Sequence, residues 1–186
     1  MTNWRKRLIE DSLPLKEISE QSAREKSIRH GHISTLHIWW ARRPLVACRA
    51  AIFAALVSAP KDDAERKELH DFLKELCTWE ASNDRRIIEK AQKYIKKHYP
   101  NEPPKVLDMF AGGGSIPLEA QRLGCESYAI DLNPVAHLIE LCTLVYPQRY
   151  GLGPDTEIKR KQGFEFGETR CQLAEDVRKW GNWVLE

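Results

Sequence analysis

Two aspartates and a run of three glycines are the residues whose types and spacing could do chemistry. Asp108 lies in the short apolar run Lys105 to Phe110, Gly112, Gly113 and Gly114 follow at once, and Asp131 ends a second run, Glu126 to Ile130. Consecutive glycines let the backbone bend through positive φ and leave main-chain N–H groups open to a ligand. A carboxylate 23 positions beyond Asp108 is placed to accept hydrogen bonds from the two hydroxyls of a ribose. The pattern predicts a nucleoside-bearing ligand held between the two acids.

For these groups to meet, the chain must run strand, turn, helix, strand. The segment 105–110 is bounded by Pro103-Pro104 and the glycines, which reads as a buried parallel strand. Ser115 is the expected cap of the next helix, with Leu118, Ala120 and Leu123 inward and Gly124 at C′. After the second strand, 126–130, Asn133 and Pro134 supply an N-cap and an N1 proline for a helix expected to run to about Val145 and to stop at Pro147. Asp108 and Asp131 then sit at the carboxyl ends of adjacent parallel strands, where open α/β sheets bind ligands.

The turn narrows the ligand. A dinucleotide fingerprint needs a third glycine three residues after the second, and Pro117 stands there. Asp108 would repel a diphosphate but suits an ammonium group, which favours S-adenosylmethionine. No Gly-Lys-Ser or Gly-Lys-Thr follows the glycines, which disfavours a triphosphate loop.

At these residues a family resemblance enters. DMFAGGGSIPLEA followed by AIDLNPVA resembles the first two motifs of class I S-adenosylmethionine-dependent methyltransferases, in the DxFxGxG form typical of DNA amino-methyltransferases. The resemblance implies an α/β fold with a partial Rossmann-like methyltransferase sheet. It implies cofactor contacts from Asp108, Phe110, Ala111, Gly112, Gly114 and Asp131, with Leu132 beside the ribose acid. The stretch Ser12 to Val57 is similar to the N-terminal DUF1156 region of large prokaryotic adenine-specific DNA methylases. It implies DNA as partner. The stretch Trp39 to Pro44 reads in two ways: its tryptophans pack and its arginines snorkel or pair with acids, or an arginine reaches a phosphate or a cofactor carboxylate; the resemblance, in which an N-terminal segment often covers the methionine end of the cofactor, implies the second, with Trp40, Arg42 and Arg43 binding substrate.

One part of the family pattern is missing. The catalytic DPPY, NPPY or SPPY tetrad appears nowhere in the 186 residues; Asn133-Pro134-Val135-Ala136 shares only its first pair and follows the wrong strand. The expectation is therefore the cofactor-binding N-terminal portion of a DNA amino-methyltransferase, with adenine as the expected base, truncated or completed by another chain. The alternatives are a non-catalytic scaffold subunit and a methyltransferase for RNA or a small molecule, because the cofactor half of such a fold does not encode substrate.

Composition bounds the rest. A 42% hydrophobic content suits a globular chain, and 29 basic against 27 acidic residues give a net charge of +2, which does not by itself announce a nucleic-acid binder. Cys48, Cys77, Cys125, Cys142 and Cys171 show no metal spacing and read as reduced and mostly buried. His30, His32 and His37 lack the partners of a zinc site, so no metal is expected. No span or signal core is visible, which makes the expected location cytoplasmic.

In order along the chain, residues 1–60 read as a helical region. It has a short lead-in and then a helix over Trp4 to Ser27, capped by Ser12 with Leu15, Ile18 and Ser22 on one face; a basic stretch from Ser22 to Arg29 that reads either as a loop or as a solvated face; and an apolar helix from Pro44 to Val57. Residues 61–100 read as an inserted helical pair. Asp62 or Asp63 caps one helix with Leu69, Phe72, Leu73 and Leu76 inward, and Asn83 or Asp84 caps another whose basic face reads mainly as solvated. Residues 101–147 form the cofactor core. Residues 148–186 read as a linker and a closing helix from Leu173 to Leu185, and the partial sheet predicts dimerisation or a partner chain at its open edge.

Overall fold

The computed structural model describes residues 6–29, 33–150 and 172–185. Four helices precede the sheet: α1 (Leu15–Ser27), α2 (Leu45–Leu56), α3 (Asp63–Leu76) and α4 (Arg85–His98). Strand β1 (Lys105–Asp108), helix α5 (Ser115–Arg122), strand β2 (Glu126–Ala129) and helix α6 (Pro134–Glu140) follow. A π turn, Leu141–Val145, joins α6 to α7 (Tyr146–Tyr150), and α8 (Gln172–Leu185) stands last. The result is a mixed α/β chain, mostly helical, with a small two-stranded parallel sheet.

The strands pair in register, Lys105 with Glu126 through Asp108 with Ala129. In such a pair, residues at the same register share a face. Val106, Asp108, Ser127 and Ala129 turn to the covered side, where α5 packs against both strands and α2 packs on α5. Leu107, Tyr128 and Ile130 turn outward and are 56%, 45% and 55% exposed. Both strands are shorter than expected: Met109 and Phe110 form a turn after β1, where the Asp108 carboxylate accepts a hydrogen bond from Phe110 N at 3.1 Å.

One core cluster runs through the first three of the four expected segments. It takes Leu8, Val46 and Phe53, then Leu73, Leu76 and Ile95, then Ala120 and Leu123. Phe53, Phe72 and Tyr94 meet edge to face or tilted within 6.0 Å at its centre. The α3 face is as expected: Asp62 caps it by accepting from Glu65 N at 2.8 Å, and Leu69, Phe72, Leu73 and Leu76 are all buried. Asp84 caps α4, accepting from Arg86 N at 2.9 Å. The basic face of α4 is partly neutralised at home, since Arg85 pairs with Glu89, Arg86 with Asp84, and the Lys90 ammonium lies 4.5 Å from the Phe72 ring centroid.

Several local expectations are corrected. Ser12 does not cap α1: its hydroxyl bonds His70 and Asp11, and Pro14 holds the cap position. Leu15 is exposed, so the inward face of α1 runs from Ile18 to Glu25; the helix ends at Ser27 as expected, so the basic stretch from Ser22 is helical rather than a loop up to that residue. Gly114, at φ 76, takes the cap of α5 and Ser115 becomes its first, buried residue. The helix after β2 passes Pro147 instead of stopping there. The wider π turn lies just before that proline, and residue i−4, Thr143, falls within it, which relieves the ring's clash with the preceding turn.

Cys48, Cys77 and Cys125 are buried and unpaired, and burial pushes their thiols up to about 12, about 12 and about 11. Cys142 is exposed, while Cys171, His30, His32 and most of the expected linker lie outside the described residues. Among the described residues no helix is long and apolar enough to cross a membrane.

Candidate cofactor cleft at the carboxyl ends of the strands

The glycine turn is fixed from both sides. Gly112 and Gly114 have φ of 53° and 76°, conformations that side-chain-bearing residues seldom adopt. Gly114 N donates to Ala111 O at 2.8 Å and closes the turn, while Ala111 N donates to Ile130 O at 3.1 Å and ties it to the end of β2. The Asp131 carboxylate completes the frame, one oxygen accepting from Gly112 N and the other from Asn133 N, both at 2.8 Å. The Asn133 and Gly112 amides hold its carboxyl below the usual carboxylate range, so it stays ionised. A carboxylate offers about four acceptor positions. Two remain for ligand hydroxyls.

The opposite wall comes from the loop before α2. Trp39 is buried and lies on the glycines: a Cβ added to Gly112 would stand 2.6 Å from its indole Nε1, and one added to Gly113 3.1 Å from its Cβ. The glycines are therefore needed for the tryptophan as well as for the turn. Trp40 stacks on Trp39 with centroids 4.1 Å apart and planes 22° from parallel, and remains 78% exposed.

Glu25 holds this loop in place. Its carboxylate, fully buried on α1, accepts from the N–H groups of Leu45 and Val46 at 3.0 Å each and so caps α2 from 20 residues away. Those are donors that no intrahelical carbonyl satisfies, and the anion also meets the positive end of the helix dipole. Arg42 Nη2 stands 3.9 Å from the same carboxylate, which adds a cation to the cap.

A second buried carboxylate fixes the helix that leaves the turn. Arg49 of α2 and Glu119 of α5 are fully buried, with Nε and Oε2 2.6 Å apart. The guanidinium also donates to Leu76 O at 2.9 Å and to the Ser82 hydroxyl. This network couples the N-terminal helices to α5.

The cleft between these walls has a volume of about 540 Å³, within the ~300–1,000 Å³ of small-ligand sites. It brings together eight of the ten expected residues, with Trp40, Arg42 and Arg43 facing Asp108, Phe110, Ala111, Gly112 and Asp131. Gly114 and Leu132 do not line it. Gly114 backs onto Glu140 and Leu144, and Leu132 projects into solvent beside Asp131. Trp39, Ser115, Ile116 and Asn133 line the cleft without having been singled out as site residues. Glu140, just behind Gly114, is buried with one oxygen lacking a hydrogen-bond partner, and burial, reinforced by the charges of Asp131 and Asp108, raises its pKa.

Residues 12–90 match the DUF1156 family, described as a protein of unknown function. The match contains Glu25, the Trp39 to Arg43 loop and Arg49, and it ends before β1, so the matched residues supply one wall of the cleft and the following residues the other. No curated protein and no solved structure matches the chain.

Proposed function

We propose that the chain is the S-adenosylmethionine-binding N-terminal portion of a DNA amino-methyltransferase acting on adenine, built on a partial Rossmann-like sheet. The observation that carries the reading is the convergence of Asp108, the glycine turn and Asp131 at the carboxyl ends of two parallel strands, in one cleft of about 540 Å³. The donor set fits the cofactor. Asp131 keeps acceptor positions for both ribose hydroxyls, and Asp108 keeps its second carboxylate oxygen for an ammonium group. When bound, the cofactor would bring a methyl group activated by its sulfonium, and these residues would orient it.

The missing proline-aromatic tetrad supports a second reading. In it, the chain binds the cofactor without catalysing transfer, and a partner chain supplies the groups that receive the target amine.

Calorimetric titration of S-adenosylmethionine, with a nicotinamide dinucleotide as control, tests the cofactor assignment. Asp131→Asn and Asp131→Ala should weaken binding at least about tenfold, because hydrogen bonds to a charged acceptor contribute about 1.5–3 kcal/mol each. Equal affinity in wild type and both variants, or preference for the dinucleotide, would dismiss it.

A further inference from the structure

Trp39 and Trp40 form a layered stack whose inner end is fixed and whose outer end is free. The glycine turn seats Trp39, Trp39 seats Trp40, and the second indole, 78% exposed, lines the cleft. Phe110, 84% exposed, lines the same cleft. Two large aromatic side chains left in water at the mouth of one concave cleft form the kind of exposed apolar patch that marks a binding surface. Arg43 stands beside it, exposed, with no carboxylate paired to it among the described residues, whereas Arg42 is half-buried against Glu25.

We infer that the outer face of Trp40 is a stacking platform for an unpaired nucleic-acid base, with Arg43 taking that nucleotide's phosphate. The inference rests on the methyl-transfer reading of the cleft, because it names the substrate that the second wall presents. The chemistry selects the ligand class. A flat π face next to a free guanidinium suits a base and its backbone, since every base has a π face and every nucleotide an anion. The size of the cleft selects the unpaired form: at about 540 Å³ it cannot take a duplex, so a base must leave its stack to reach a platform at the mouth. The cofactor's own adenine has a different place in this account, at the β2 end next to Asp131.

The test uses fluorescence anisotropy of a labelled 12-nucleotide strand with a central adenine, as DNA and as RNA, against the same strand abasic at that position. Wild type, Trp40→Leu, Trp40→Phe and Arg43→Gln are compared, with circular dichroism as a fold control and S-adenosylmethionine titrated into each by calorimetry. Trp40→Leu should weaken strand binding about tenfold, the usual scale of one lost stack, while Trp40→Phe keeps most of the affinity. The abasic strand should bind wild type as weakly as the intact strand binds Trp40→Leu. Arg43→Gln should weaken all strands alike and lower the salt slope by about 1. The comparison of DNA with RNA says which backbone is preferred. Failure of wild type to bind any strand, or equal binding by Trp40→Leu, would overturn the platform. So would loss of cofactor affinity in Trp40→Leu without any effect on strands, which would give the indole to the cofactor's adenine. A strand pattern as described in a chain that does not bind S-adenosylmethionine would remove the cofactor reading and leave the platform standing.

Discussion

Glu119→Ala should remove a large share of the stability of the fold. Both members of the Arg49–Glu119 pair have no exposed side-chain surface, so water cannot replace the lost carboxylate. Arg49 would keep Leu76 O and the Ser82 hydroxyl but no counter-charge. Removing one partner of a buried pair costs about 3–5 kcal/mol, against the roughly 5–15 kcal/mol that holds a typical domain together. With a urea dependence of about 2 kcal/mol per molar, the unfolding midpoint should fall by about 1.5–2.5 M. The assay is urea unfolding followed by far-ultraviolet circular dichroism. The double variant Arg49→Met with Glu119→Leu separates the charge from the space it fills, because an apolar pair of similar volume is often neutral or stabilising. It should recover most of the loss even if Glu119→Ala alone is unfolded. A Glu119→Ala midpoint within about 0.3 M of wild type, or a double variant no better than the single, would refute the claim that this pair couples α2 to the glycine-turn helix.

Two further outcomes follow from the cleft. Gly112→Ala places a Cβ 2.6 Å from the Trp39 indole at a φ of 53°, and should cost about 1–3 kcal/mol in thermal or urea unfolding; a simultaneous Trp39→Leu should relieve the steric part. Glu140 has a folded-state pKa raised above its ordinary 4.5, so the native state holds the proton more tightly and stability falls as pH rises through the window above 4.5. Glu140→Gln should therefore gain melting temperature over wild type at about pH 8 and little at about pH 4, and a gap that is constant or reversed would rule this out.

The legible parts of the fold were those written in adjacent residues. The glycine turn, Asp131 at the end of β2, the Asp62, Asp84 and Asn133 caps and Gly124 after α5 each depend on residues within a few positions. Long-range polar pairing was not legible. Glu25 sits in a charged stretch that reads as solvent-facing, and only the folded chain brings it to the amides of Leu45 and Val46. Arg49 carried a signal in being the lone cation of an apolar helix, which demands a buried partner, but nothing local says that the partner is Glu119. Trp39 and Trp40 are neighbours with opposite fates, one pressed onto the glycines and one open to the cleft, and the loop path that decides between them is set by the Glu25 cap.

The contact between Trp39 and Gly112 also ties together the histories of two positions 73 apart in the chain. An indole at one leaves no room for a methyl at the other, so neither can drift alone. Among diverged descendants of this chain, any that carry a side chain at position 112 should carry something smaller than tryptophan at position 39, and the two exchanges should be inherited as a pair.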